Sequence, residues 1–359
     1  MARPTVSAAA RIQRWLKELK AEDPAAHAQA IGPRGVIVGL SGGADSLALT
    51  SGAVRAGLTV HAVIVDHQLQ EGSARVAARA AEQARELGAA SAQVVTVTVN
   101  GAGEGPARTA RYSALGREAA GRGVLVAHTA TDDAEGFLVA LSRGSGTDAL
   151  AGIRPFARRH PVVTAGAAWI GRPLLGATRA DTEAECELVG VDFWEDPHNY
   201  SQDYLRSRVR QELLPVMEEI LGGHVLGNLA RSARLLREDA QALDTVARKI
   251  IDSCAEVGAG GLVASLSIEE LGKQPAALRK RAYKHWLAPF AGPLTNAHIE
   301  AIDSLVANWR GQGPVAVPWP EDSPTMNTDR RTSHRLVVRR SDQLLRIDEK
   351  LRQPYSEGR

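Results

Sequence analysis

The chain has 359 residues with a formal net charge of +2, and 44% of its residues are hydrophobic. This length favours two domains, or one large domain with an appendage, and the apolar content is sufficient for a buried core. No apolar run approaches the roughly 20 residues of a membrane span, and no signal-peptide pattern is visible, so we expect a cytoplasmic protein without a membrane partner. Cys186 and Cys254 form no C-x-x-C pair, which argues against a zinc site or an iron–sulfur cluster.

The first predicted element is a helix over residues 7–20. This stretch is rich in alanine and basic residues, as a transit peptide would be, but its large apolar side chains recur at helical spacing. They are Ile12, Trp15, Leu16 and Leu19. We therefore favour an amphipathic helix that packs on the core.

Short valine-rich runs alternate with helical patterns from about residue 34 to 145. The runs cover residues 36–40, 60–65, 94–99 and 124–127, and the helical patterns include 73–87 and 107–120. The alternation predicts an α/β fold with a doubly wound, mainly parallel sheet. Ligands of such folds bind at the carboxyl ends of the strands. The polar residues that follow the strands are therefore site candidates: Ser41 to Ser46, Asp66 and His67, and His128 to Glu135.

The loop after the first strand is the most informative segment. It reads Ser41, Gly42, Gly43, Ala44, Asp45, Ser46 and leads into an Ala/Leu-rich helical pattern. Backbone amides at such a helix start bind anions, but the lysine of the G-x-x-x-x-G-K-[ST] motif is missing. Asp45 would repel a bare phosphate, which predicts a divalent cation between this carboxylate and a nucleotide. The alternative is an ordinary turn with Asp45 and Ser46 as helix caps.

The second half of the chain reads as helical and then mixed. A helical pattern over 178–220 is interrupted at Glu195–Asn199, and Gly222-Gly223 precedes a long helix near 225–256. The last hundred residues predict a small C-terminal domain with helices near 275–289 and 295–309, strands near 315–319 and 334–339, and a polar tail that frays after about 346. These patterns divide the chain into 1–220, a helical linker 221–260, and 261–359.

Arginines gather in three segments. They are Arg154, Arg158, Arg159 and Arg172, then Arg206, Arg208 and Arg210, and finally Arg330, Arg331, Arg335, Arg339 and Arg340. Clusters of this kind can follow the phosphates of a nucleic acid, and a solvated protein surface is the alternative.

Taken together, the ordered motifs resemble a known family. They are Ser41–Ser46, Val65–Leu69, Ala107–Tyr112, Ala127–Thr129 with Asp132 and Glu135, Arg143–Gly146, Arg172–Leu175, Glu195–Asn199 and Tyr204–Arg210. The loop resembles that of N-type ATP pyrophosphatases, the PP-loop superfamily, whose fold is Rossmann-type and related to adenine nucleotide alpha hydrolases. The whole set is similar to the tRNA(Ile)-lysidine synthetase family. Three positions depart from its usual pattern, namely Thr131, Asp133 and Ser207, whereas Asp132 and Glu135 are retained.

This resemblance implies a ligase that uses ATP and Mg²⁺. Such an enzyme adenylates C2 of the wobble cytidine of tRNA(Ile) with a CAU anticodon, and L-lysine then displaces AMP. Residues 1–220 would be the catalytic PP-loop domain, and 261–359 would contact tRNA. No sequence feature specifies an oligomeric state.

The resemblance also implies roles for individual residues. Asp45 would hold the metal beside the loop Ser41–Ser46, and Asp66 and His67 would help to bind ATP. Asp132 and Glu135 would bind the lysine ammonium or accept its proton. His128 would contact ATP or substrate, and Arg111 would neutralise phosphates. The tRNA backbone would meet Arg206, Arg208 and Arg210.

Two other functions stay open at this point. A related tRNA thiolase would also activate a base with ATP, although sulfur insertion usually needs the paired cysteines that this chain lacks. A nucleotide-binding, RNA-associated protein with little catalysis is the second alternative.

Overall fold

A computed structural model describes residues 6–70, 72–99, 101, 103–195, 205–257, 263–320 and 334–351. The chain forms two compact units, Met1–Arg237 and Glu238–Arg359. Their boundary lies inside the long helix that the sequence predicts near residues 225–256. The predicted interruption beyond Glu195, together with Tyr204, Arg330 and Arg331, lies outside the described residues. The division at residues 220 and 260 stays a prediction.

The first unit is built on a six-stranded sheet. Its strands are β1 (Val36–Leu40), β2 (Val60–Asp66), β3 (Ser91–Thr96), β4 (Gly123–Leu125), β5 (Phe156–Ala157) and β6 (Trp169–Gly171). The spatial order is β3-β2-β1-β4-β6-β5, and only β5 runs antiparallel to its neighbour. The predicted doubly wound, mainly parallel sheet is therefore confirmed. Since β1 lies between β2 and β4, the ends of all three strands meet at one edge of the sheet.

Eleven described helices and one π-helical turn surround this sheet. They are α1 (Ala8–Glu22), α2 (Pro24–Ile31), α3 (Ala44–Arg55), α4 (Ser73–Glu86), α5 (Glu104–Ala119), α6 (Ala130–Ser142), α7 (Thr147–Leu150), α8 (Pro161–Thr164), α9 (Arg179–Leu188), α10 (Leu205–Arg208), the π-helical turn (Val209–Leu213) and α11 (Leu214–Leu221). In α1 the four residues predicted to face the core are all buried, which confirms the amphipathic helix.

Several strands of the first unit differ from the sequence prediction: β4 covers residues 123–125 instead of 124–127, β5 was not predicted, and β3 and β6 differ for a physical reason. β3 begins at Ser91, three residues before the expected start, because it is an edge strand whose residues are mostly exposed and do not form one apolar run. β6 was not predicted at all. It has only three residues, yet it pairs with β4 in the interior, and the side chains of Trp169 and Ile170 are fully buried.

Close packing between β4 and β6 predicts a stability effect at Gly123. This glycine is paired with Trp169, and a Cβ there would lie 2.0 Å from the indole Cζ2 atom. Gly123→Ala is therefore expected to lower the free energy of unfolding by about 2 kcal/mol, as overpacked cores do. Urea unfolding measures the change. The control Gly227→Ala adds a methyl group in open space on a helix and is expected to raise stability by about 0.5–1 kcal/mol.

The second unit contains a five-stranded antiparallel sheet. The long helix α12 (Val225–Cys254) leads into it, and the helices α13 (Ile268–Gly272), α14 (Ala276–Leu287) and α15 (Asn296–Ala307) follow. The strands β7 (Ala255–Val257), β8 (Val263–Ser267), β9 (Val315–Val317), β10 (His334–Ser341) and β11 (Leu344–Leu351) pair in the order β7-β8-β11-β10-β9. The helical region and the small C-terminal domain are thus confirmed. No described helix could cross a membrane, because none combines the required length with sufficient hydropathy.

The prediction of a frayed tail after residue 346 was wrong for residues 346–351. These residues belong to β11, which pairs with β10 along its whole length. Leu345 is fully buried and Ile347 packs against the core, whereas the residues between and after them are mostly charged. A strand with one buried face alternates apolar with polar residues. Because the polar residues of β11 are mostly charged, the sequence of this segment resembles that of a polar tail.

Candidate active site

The glycine loop between β1 and α3 folds back on itself. Gly42 has a φ of 84°, a conformation that favours glycine. Ser46 Oγ accepts the Ser41 N–H at 3.1 Å and donates to the Gly43 carbonyl at 2.9 Å. Gly43 is the N-cap of α3, and no side chain of the described residues caps this helix. The alternative in which Asp45 and Ser46 cap α3 is therefore wrong, and the first amides of the helix are available to an anion.

Asp45 is oriented by α9. The hydroxyl of Thr182 donates to Asp45 Oδ1 at 2.6 Å, and Arg179 Nη1 lies 3.9 Å from the same oxygen. Burial raises the pKa of Asp45 above its usual value, and the Thr182 hydrogen bond and the Arg179 charge partly offset this effect. The negative charge of Asp132 also raises the pKa of Asp45, so these two carboxylates lie close enough to interact electrostatically. Neither Thr182 nor Arg179 was a predicted site residue.

Asp132 and Glu135 lie in the first turns of α6, directly after β4. Asp132 Oδ2 accepts the N–H of Thr129 at 2.8 Å, so this carboxylate closes a capping box at the start of the helix. The side chain of Glu135 is only 1% exposed, and one of its oxygens pairs with Arg210 Nε at 2.6 Å. Burial raises the pKa of Glu135, and Arg210 partly offsets the rise. We call Asp45, Asp132 and Glu135 the acidic cluster.

The three arginines of the 206–210 segment are not equivalent. Arg210 lies in the π-helical turn, in which the Leu214 N–H bonds to the Val209 carbonyl, and reaches Glu135. The positive charge of Arg206 also lowers the pKa of Glu135. Arg208 instead pairs with Glu212 on the exposed surface at 3.1 Å. The structure therefore brings Arg210 and Arg206 to the acidic cluster but not Arg208.

His128 precedes α6 and is buried beside Arg172. Its Nδ1 accepts the Arg172 Nε–H at 3.1 Å, and Arg172 Nη1 donates to the Arg154 carbonyl at 2.8 Å. Burial lowers the pKa of His128 to about 3, although the nearby Asp132 favours its charged form. The imidazole is therefore neutral at physiological pH, with its proton on Nε2. It can donate one hydrogen bond to a substrate but carries no charge.

Positive charge gathers around Tyr112 on α5. The guanidinium groups of Arg108 and Arg111 lie 5.2 Å and 5.4 Å from its ring centroid, and neither has a carboxylate partner within the described chain. The Tyr112 hydroxyl interacts with the Arg172 guanidinium, whereas His67 Nδ1 is buried without a hydrogen-bond partner among the described residues. Two arginines without a carboxylate partner beside an unpaired buried nitrogen fit a bound anion.

Asp66 has a structural role at the end of β2. It is buried, and its Oδ1 accepts the N–H of Gln68 at 2.9 Å, which stabilises a turn where Gln68 has a φ of 54°. Burial and the Arg111 charge lower the pKa of the following His67. A direct contact of Asp66 or His67 with ATP stays a prediction.

Comparison with known proteins identifies the family. The PP-loop domain family matches residues 8–217, and the TilS substrate binding domain family matches residues 266–345. A tRNA(Ile)-lysidine synthase of Nocardia farcinica is 47% identical over 285 residues, which is 79% of this chain and 85% of the relative. The chain belongs to the tRNA(Ile)-lysidine synthase family. The synthase of Mycobacterium tuberculosis strain H37Rv is 47% identical over 283 residues, 78% of this chain and 83% of that one.

A solved structure of a U34-tRNA thiolase from Methanococcus maripaludis aligns with a TM-score of 0.46 and 16% identity over 64% of this chain and 80% of its own. Membership of the tRNA(Ile)-lysidine synthase family confirms the resemblance seen in the motifs and favours it over the thiolase and the non-catalytic alternative. The PP-loop domain is an ATP-binding domain, and its match includes the glycine loop, the acidic cluster and the arginines around Tyr112. The roles of the individual site residues of this chain remain predictions.

Proposed function

We propose that the chain joins L-lysine to C2 of the wobble cytidine of tRNA(Ile) with a CAU anticodon. ATP first adenylates the tRNA base and releases pyrophosphate, and lysine then displaces AMP. The observation that carries the proposal is the convergence of Asp45, Asp132 and Glu135 at the ends of neighbouring strands in a lysidine synthase family member. On this proposal the chain is a ligase that forms a carbon–nitrogen bond.

The glycine loop suits the first step. The amides at the start of α3, with the Ser41 and Ser46 hydroxyls, supply donors for the departing pyrophosphate. Within the described residues, no group of three His, Cys, Asp or Glu side chains forms a metal cage. Mg²⁺ is often held by one or two carboxylates plus substrate phosphates, so Asp45 fits this ion. When bound, Mg²⁺ would neutralise the charge that develops on pyrophosphate.

The acidic cluster suits the second step. Lysine must present a neutral amine, which forms the C2–N bond while the bond from C2 to the AMP oxygen breaks. Glu135 can take the proton of this amine, because its raised pKa makes it a stronger base than an exposed glutamate. Asp132 and Asp45 add negative charge that attracts the incoming ammonium group.

Lysine-dependent release of AMP tests this function. The chain is incubated with ATP, L-lysine and a tRNA(Ile) transcript with a CAU anticodon, and AMP and the modified nucleoside are measured. We expect both products only when lysine and tRNA are present. A transcript whose wobble cytidine is replaced by uridine is the control and should yield neither. AMP release that is independent of lysine, or its complete absence, would contradict the proposal.

The hydrogen bond to Asp45 predicts a pH effect for Thr182→Val. Because the Thr182 hydroxyl lowers the pKa of Asp45, its loss raises this pKa further above the usual value. Activity that needs ionised Asp45 is lost as the pH falls through the pKa, so the acidic limb of the pH profile should move to higher pH. Initial rates of pyrophosphate release from pH 5 to 9 measure the shift. The control Thr50→Val removes a hydroxyl whose one hydrogen bond within the described residues is to the Ser46 carbonyl, and it should leave the limb in place.

A further inference from the structure

A buried ion pair links α6 to α12 behind the acidic cluster. Asp133, one of the three departures from the family pattern, lies next to Asp132 but takes no part in the cluster's hydrogen bonds. Its Oδ2 pairs with Arg237 Nη2 at 2.8 Å, and the two side chains are 4% and 9% exposed. Its Oδ1 accepts the N–H of Ile153 at 2.8 Å. Both oxygens of this buried carboxylate are thus satisfied by partners distant in sequence.

Arg237 also holds the segment that follows α7. Its Nε donates to the Ala151 carbonyl at 2.9 Å. Between the two bonded residues lies Gly152, with a φ of 67°, where a Cβ would be 2.2 Å from Asp133 Oδ1 and 3.3 Å from the Ala233 Cβ on α12. Residues 151–153 are therefore held between α6 and one face of α12 by two charge-assisted hydrogen bonds and close packing.

The same segment is also linked to His128 by hydrogen bonds through Arg172. One residue after Ile153, the carbonyl of Arg154 accepts a hydrogen bond from Arg172, and Arg172 Nε holds the His128 ring. A continuous set of hydrogen bonds therefore runs from Arg237 on α12 to both flanks of the first turn of α6. Asp132 lies in that turn, and Glu135 lies in the next.

We propose that Asp133 and Arg237 are a positioning pair that fixes the start of α6, and with it Asp132 and Glu135, for the binding of lysine. The inference rests on the proposed function. Neither residue touches the reacting groups; they act through α6 and the 151–154 segment. The glycine loop lies on other elements, β1 and α3, so the pair should influence lysine much more than ATP.

A double apolar variant, Asp133→Leu with Arg237→Met, separates positioning from stability. Replacing both members of a buried ion pair by apolar residues of similar size is often neutral for stability, whereas a single replacement leaves one charge buried and unpaired. The double variant removes the bonds to Ile153 and Ala151 but keeps the site filled. The control Asp244→Leu with Arg281→Met removes a pair of similar burial, 7% and 9% exposed, from the second unit, together with the contact of Asp244 Oδ1 to His285 Nε2 at 2.9 Å.

Steady-state kinetics with saturating tRNA(Ile), together with thermal unfolding, give the result. We expect the KM for lysine to rise at least tenfold in the Asp133/Arg237 double variant, the KM for ATP to stay within threefold, and the control to keep the wild-type KM for lysine. Arg237→Lys keeps the charge but loses the planar fork, and it should raise the KM for lysine about threefold.

An unchanged KM for lysine in a folded double variant would overturn the inference. So would equal rises in both KM values with a lower melting temperature, since that result indicates a structural role alone. If the double variant does not fold, a wild-type KM for lysine in Arg237→Lys overturns it. Wild-type protein in the same assay checks the proposed function, because absence of lysine-dependent AMP release by the wild type contradicts that function. If the wild type is active and the variants have the same KM for lysine, only the positioning pair is contradicted.

Discussion

Asp45→Asn is expected to reduce tRNA-dependent pyrophosphate release on the order of 10³-fold, as the loss of a principal electrostatic group does. Asparagine has the size of aspartate, and its amide oxygen can still accept the Thr182 hydroxyl that lies 2.6 Å from Asp45 Oδ1. The substitution therefore removes the charge that would hold a cation beside the phosphates and preserves the local geometry. Single-turnover release of pyrophosphate from ATP and tRNA, without lysine, measures the effect on the first step alone.

A matched control is Asp192→Asn. Its side chain is 90% exposed and, in the described part of the chain, pairs with Arg79 alone on the surface, so wild-type release is expected. Asp45→Ala should be as inactive as Asp45→Asn and should keep the wild-type circular dichroism spectrum, because Asp45 is a partly exposed residue of the first helical turn. Normal pyrophosphate release by a folded Asp45→Asn protein would remove this residue from the mechanism.

The part of the site that sequence could predict is local. Strand β1, the loop and α3 follow one another directly, so valine-rich periodicity and two glycines predict their order and the anion site between them. Asp132 and Glu135 could be predicted in the same way, because they follow β4 in sequence and are spaced about one helical turn apart. Strand ends meet at one edge of a parallel sheet, and this rule alone brings the two segments together.

The residues that orient these groups could not be predicted, because they are distant in sequence. Thr182 is 137 residues from Asp45, and Arg237 is 104 residues from Asp133. Nothing in the composition of α9 or α12 distinguishes these two side chains from others on the same helices. Asp133 shows the consequence: by sequence it is one of three carboxylates between residues 132 and 135, whereas in the fold it pairs with Arg237.

The missed strand β6 explains why the role of Arg172 was also missed. Arg172 directly follows this three-residue strand, and the rule that polar residues at strand ends form the site would have selected it. The strand depends on Trp169 filling the space above Gly123, a contact between segments that no local pattern reveals. Short buried strands are therefore specified by packing rather than by periodicity.

Glu135→Gln is expected to lower kcat/KM for lysine by about 10²–10⁴-fold, the usual contribution of a general base. The first step should stay within a few fold of wild type, since Glu135 lies on α6 whereas the glycine loop lies between β1 and α3. Glutamine can still accept the Arg210 hydrogen bond, and Arg210 is 41% exposed, so the variant leaves no buried unpaired cation. Lysine-dependent AMP release from preadenylated tRNA measures the second step separately.

The pH profile distinguishes a base from a binding group. Burial raises the pKa of Glu135, so the wild-type second step should fall as the pH drops through a value above the usual 4.5, and this limb should be missing in Glu135→Gln. Glu212→Gln is the control, because Glu212 forms the neighbouring but exposed pair with Arg208 and should keep wild-type kinetics. A glutamine variant with a raised KM for lysine but an unchanged kcat and acidic limb would make Glu135 a binding residue. The base would then have to be sought elsewhere in the acidic cluster.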